Sequence, residues 1–176
     1  EIPHWYPKNR MMNAPEDQER WALLWRPYLG NRKTVADFFR RRNLWALGAI
    51  LQGIKELAVP VHLKDALLFS LSSMLLNASD MYRYRENGKG GLSMGTLYVG
   101  PSFQVMNAWR GFEDKISDML RGYGSLTCDA TDVRVSTQSA TNLGAIPSCS
   151  VDYIFTDPPY SWKVQYGESN FIWEAW

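Results

Sequence analysis

The sequence predicts an α/β protein, with a partial parallel sheet preceded by a mainly helical insert. Apolar residues recur at helical spacing through most of residues 34–123. Val151-Asp152-Tyr153-Ile154-Phe155-Thr156 is instead a compact apolar run of the kind parallel sheets bury on both faces. The charge divides near the same place: residues 1–125 carry 17 Lys/Arg against 12 Asp/Glu, and residues 126–176 carry 2 against 6. A basic front and an acidic back suit a chain in which one part touches phosphates and the other does chemistry. The expected organisation is a helical region over 1–125, a candidate for target recognition, and a sheet-bearing region over 126–176.

Residues 1–33 are rich in Trp, Pro and Arg, and only Ala14–Trp25 has a helical pattern; the rest reads as an irregular arm. Thr34 is placed to cap a long helix reaching about Leu57. Val35, Phe38, Phe39, Ala46, Ile50 and Ile54 share its apolar face, and Arg42 falls inside that stripe, where a charge needs a partner. Arg40 and Arg41 point elsewhere. After Pro60, Leu63–Tyr82 reads as a second helix, apolar almost all round and therefore buried. Arg83–Gly95 breaks the pattern as a basic, glycine-rich loop, and Thr96–Val99 has the look of a short strand. Val105, Trp109, Phe112, Ile116, Met119 and Tyr123 mark a third helix, with Gly122 and Gly124 expected to end it. Val133–Thr137 alternates as a strand should, Ser139–Ile146 is a loop or short helix, and Val151–Thr156 is the buried strand.

The 176 residues suffice for a real core, and the 45% apolar and 21% charged content is that of a globular chain. No run of apolar residues is long enough to span a membrane. Two cysteines, Cys128 and Cys149, are too few for a disulfide framework, and with isolated His4 and His62 they offer no metal-ligand set. Reduced thiols and a cytoplasmic location follow as expectations. Glu1-Ile2-Pro3 and the apolar stretch closing at Trp176 read as cut ends of a longer polypeptide.

The chemically informative segment is VDYIFTDPPY, residues 151–160. An apolar strand ends abruptly, an acid sits at its carboxyl edge, two prolines stiffen the turn, and an aromatic closes it. Ligands of open α/β sheets bind at that edge, and consecutive prolines fix the directions of the surrounding carbonyls. A planar exocyclic amine offers two hydrogens, which a carboxylate and one backbone carbonyl can accept. Accepting both draws the nitrogen lone pair out of ring conjugation and aims it at an electrophilic carbon, and acceptors fixed in advance stabilise the charge that develops. An aromatic ring stacking on the base would add ~1–3 kcal/mol.

Asp157-Pro158-Pro159-Tyr160 after such a strand resembles the catalytic motif of the S-adenosylmethionine-dependent amino-methyltransferases that make N6-methyladenine or N4-methylcytosine in DNA. The longer stretch VDYIFTDPPYSWKVQYGESNFIWEAW is similar to a subgroup of large prokaryotic DNA methylases, as are WYPKNRMM, FFRRRNLWAL, RYRENGKGG and GTLYVGPS. The resemblance implies a Rossmann-like methyltransferase sheet, S-adenosyl-L-methionine as cofactor and double-stranded DNA as partner, in a restriction-modification setting. It implies that Asp157 and Pro158 hold the target amine, with Pro159 stiffening the turn and Tyr160 stacking on the base. Ser139 and Asn142 occupy the place of cofactor contacts, although acidic residues are commoner there. Trp162 departs from the usual small or Asp/Asn residues after the tyrosine, and bears on how the base pocket closes. Arg83, Arg85 and Lys89, interleaved with Tyr82 and Tyr84, are candidates for nucleic-acid contact. Glu168 and Asn170 begin a helix or orient the pocket. The family's glycine-rich cofactor loop has no counterpart here, so the remainder of the polypeptide is expected to supply it. Adenine is favoured over cytosine. An RNA base-amine methyltransferase and a non-catalytic DNA-binding module stand as alternatives.

Overall fold

A computed structural model describes residues 1–11, 31–86, 90–92, 97–126, 133–160 and 166–176. The described residues form four α-helices: α1 (Arg41–Glu56), α2 (Val61–Met74), α3 (Ala108–Ser125) and α4 (Tyr166–Ala175). A 3-10 turn over Val35–Phe38 precedes α1. Among the described residues there is no β-strand and no sheet, only isolated bridges, so the expected Rossmann-like α/β architecture is overturned.

The expected strands show why. Val133–Thr137 and Val151–Thr156 are not helical, as their composition requires, but neither has a partner. Val135 is 92% exposed and Phe155 is 81% exposed. Composition favours extended backbone, whereas a strand also needs a neighbour to take its N–H and C=O groups, and two short strands alone are marginal. Leu97–Val99 is likewise no strand, although Leu97 is buried. Ser139–Ile146 is a loop of turns. The expected helix over Ala14–Trp25 lies outside the described residues.

The core is helical. Leu44, Leu47, Ile50, Leu51 and Ile54 of α1 face Leu71 and Met74 of α2, and Phe112 of α3. The single helix expected from Thr34 to Leu57 is broken at Phe39, whose backbone is extended (φ −124°, ψ 142°). The Asp37 carboxylate accepts from the Thr34 N–H (2.8 Å) and hydroxyl (3.0 Å), which caps the short turn and not α1. The break lets the neighbouring rings of Phe38 and Phe39 both enter the core. It also shifts the register of α1. Arg42, expected in the apolar stripe, is exposed, and Asn43 is the buried polar residue, donating to the Ala78 carbonyl at 2.7 Å.

Lys64 bridges α1 and α2 by donating from Nζ to the Lys55 carbonyl at 2.8 Å, at the end of α1 where carbonyls lack helical partners. The second helix stops at Met74, short of the expected Tyr82; turns follow, and the Asp80 N–H is drawn to the Phe38 carbonyl at 2.7 Å. It is also less buried than its composition suggested, with Phe69 66% exposed. Asn107 caps α3, accepting from the Arg110 N–H at 3.2 Å. Gly122 and Gly124 do not end α3; Ser125 does. A helical glycine costs only about 1 kcal/mol, which a formed helix absorbs. The last helix docks on the others through buried Ile172 and through Trp173, whose Nε1 donates to the Ser72 carbonyl at 3.0 Å. Trp176 meets Phe39 and Trp5 edge-on, tying the N-terminal arm to the end of α4. No helix among the described residues is long and apolar enough to cross a membrane.

Candidate functional site

Val151–Tyr160 is irregular, with a bend at Asp152, and exposed from end to end. Asp157 therefore presents its carboxylate to solvent at no sheet edge. Pro158 and Pro159 carry no backbone N–H, so this stretch offers carbonyls without competing donors. The next N–H, of Tyr160, is taken by the hydroxyl of Tyr166, the first residue of α4, at 3.1 Å. From Pro158 to Tyr160 the backbone thus presents acceptors only, with the Asp157 carboxylate beside them. Carbonyls and a carboxylate can accept from a group with two hydrogens to give. Tyr160 keeps an open ring, 68% exposed. Tyr166 is a residue that sequence reasoning missed. A tyrosine among many aromatics carries no signal of its own; only its hydrogen bond singles it out.

Ser139 and Asn142 turn inward upon their own loop. The Ser139 hydroxyl pairs with the Thr141 hydroxyl at 2.8 Å, and the Asn142 side-chain oxygen accepts from the Gly144 N–H at 3.1 Å. Both act as turn-formers, as short polar side chains do. Beside them lies an open cavity of about 490 Å³, lined among others by Leu143, Ile146, Val151, Tyr153 and Phe155, with no charged side chain. Such a wall supplies neither a carboxylate for a ribose nor a charge for an amino-acid moiety. This cavity therefore does not by itself fit S-adenosylmethionine.

The described residues of the basic loop make backbone pairings. Arg83 exchanges backbone hydrogen bonds with Gly91 at 2.9 and 3.3 Å, and bridges to Phe103 on its other side. The ring of Tyr82 lies directly against Gly90, where a Cβ would collide with it, and the guanidinium of Arg85 lies against Gly91. Lys89 and Trp162 lie outside the described residues. In α4, Asn170 donates to Glu174 one turn on, at 2.6 Å, on the exposed surface. Glu168 falls in its first turn.

No family model matches the chain, and neither the curated proteins nor the solved structures contain a match to it.

A second cluster went unnoticed in the sequence because its parts lie far apart in it. Asp80 is buried, and its two carboxylate oxygens accept from Arg32 Nη2 and Arg40 Nε, each at 3.0 Å. The Arg40 guanidinium also lies 4.4 Å from the centre of the Phe103 ring. Arg40, expected to lie off the apolar stripe, is thus a paired arginine of the triplet. One carboxylate joins the segment before α1 to the turn after α2.

Proposed function

We propose that this chain carries the amine-binding segment of an S-adenosylmethionine-dependent DNA methyltransferase, acting on an exocyclic base amine and on adenine N6 in preference to cytosine N4. The observation that carries the reading is the acceptor-only face of Asp157-Pro158-Pro159-Tyr160, completed by the Tyr166 hydroxyl on the Tyr160 N–H. In this reading the Asp157 carboxylate and the Pro158 carbonyl each accept one hydrogen of the amine, and Tyr160 stacks on the base. The amine nitrogen becomes nucleophilic without any covalent intermediate. S-Adenosylmethionine supplies the methyl group when bound, and its principal binding loop belongs to other parts of the polypeptide. The base must leave its duplex stack to reach Tyr160, at a cost of a few kcal/mol. A cytoplasmic location goes with such an activity.

The test is radiolabelled methyl transfer beside a DNA-binding titration, in the polypeptide that contains these residues and its cofactor loop. Asp157→Ala is expected to abolish transfer and to leave DNA affinity nearly intact, because affinity comes mainly from phosphate contacts. Normal turnover by Asp157→Ala would refute the mechanism.

A further inference from the structure

We infer that the arginines at the start of α1 and those of the 83–85 loop form one surface that grips the phosphate backbone of double-stranded DNA, with Asp80 as the residue that assembles it. The two groups are separated by some forty residues in the sequence and are brought together in space by Phe103. Its ring lies under the Arg40 guanidinium at 4.4 Å, while its backbone bridges to Arg83. Asp80 holds Arg40 from the other side, at 3.0 Å. Arg41, Arg42 and Arg85 are exposed around this junction.

Charge and chemistry favour a polyanion. Residues 31–42 and 78–86 hold seven lysines and arginines against three carboxylates, of which Asp80 is consumed by Arg32 and Arg40, and Asp37 by the Thr34 cap. There is no acid in the first turn of α1, and three arginines crowd its positive end, where anions and not cations are stabilised. That is an arrangement a helix tolerates at a cost and a bound phosphate would relieve.

A duplex fits better than an unpaired strand. Proteins that hold single strands offer successive open rings for bases to stack on. Here Phe103 is covered by Arg40 and Tyr82 by Gly90, leaving Tyr84 as the exposed ring of the loop. Guanidinium groups can hold a phosphate backbone without any ring stacking on the bases.

This surface rests on the methyltransferase reading only for the choice of DNA as ligand, and binding tests it without any reaction. The experiment titrates the 176-residue chain with a labelled DNA duplex over a range of salt concentrations, with the matching single strand and an RNA duplex as competitors. Arg41→Ala/Arg42→Ala and Arg83→Ala/Arg85→Ala should each weaken duplex binding and flatten the plot of log affinity against log salt, by about 0.9 for each phosphate no longer neutralised. The combined variant should flatten it by the sum. Lys64→Ala, remote from the junction, should leave the slope unchanged. An unaltered slope in Arg41→Ala/Arg42→Ala would overturn the joint surface, and tighter binding of single strand or RNA duplex would overturn its assignment to DNA. A chain that binds duplex with these slopes but transfers no methyl group keeps the surface and loses only the reaction.

Discussion

Tyr166 and Asp80 do their work through single hydrogen-bonding groups, and each can be tested by removing only that group. Tyr166→Phe deletes the hydroxyl that occupies the Tyr160 N–H. A hydrogen bond of this kind has a net worth of about 0.5–1.5 kcal/mol. The freed N–H would also stand among acceptors meant for the amine. In the methyltransferase reading, transfer should fall by roughly two- to tenfold, with the stability in urea lowered by no more than that bond's worth. An unchanged rate would show that the acceptor-only face is incidental. Asp80→Ala should do the opposite, lowering the urea midpoint whatever the chain's activity. Breaking a fully buried ion pair costs ~3–5 kcal/mol. Arg40 stays half exposed and can return to water, so a loss of about 2 kcal/mol is expected. Asp80 was invisible in the sequence because Arg32 and Arg40 lie 48 and 40 residues away, a distance that no local pattern spans. Tyr166, only six residues from Tyr160, was hidden as one tyrosine among many aromatics.

At the scale of the elements, helices were legible and their ends were not. The stripe from Phe112 through Ile116 marked α3 correctly, because helical periodicity is a property of the segment alone. The break at Phe39 was hidden, since it comes from two adjacent rings seeking the same core. Close approaches between elements were hidden too. The arm crosses α1 at Gly48, where a Cβ would stand 2.7 Å from the Trp5 carbonyl oxygen and 3.0 Å from the His4 Cβ. Both are parts the arm cannot easily move, because Pro7 and Met11 are anchored beneath it. Gly48→Ala should therefore destabilise by about 1–3 kcal/mol, as overpacking does. Gly53, further along α1, has open space where its Cβ would be. Gly53→Ala should stabilise by about 0.8–1 kcal/mol from helix propensity. Urea melts of the two variants side by side would check both signs, and equal effects would mean that the arm does not bear on α1.

Among the described residues, the buried ones belong to the arm, the helices and the turns between them, while 133–160 contributes none. The composition of Val151–Phe155 pointed to a buried strand, and the segment is instead exposed and unpaired, because pairing depends on a neighbour that the same residues cannot specify. This contrast has a measurable consequence. Local opening energies run from near zero, where backbone groups meet water, up to the global value in a packed core. Amides of Leu47, Ile50 and Leu51 in α1 are buried and helically bonded, and should exchange with solvent deuterium only through global unfolding. Amides of Tyr153, Ile154 and Phe155 should exchange at close to the rate of an unfolded peptide. Tyr160 should be protected relative to them, because its N–H has the Tyr166 hydroxyl as partner. Hydrogen exchange read by mass spectrometry on short peptides separates these cases. Slow exchange across Val151–Thr156 would mean that the segment has found a backbone partner, and its exposed arrangement would then be wrong. Adding duplex DNA should slow exchange in the peptide containing Arg83 and Arg85, and at the start of α1, but leave Val151–Phe155 fast. Protection of Val151–Phe155 instead would move the DNA contact from the arginines to the cavity wall.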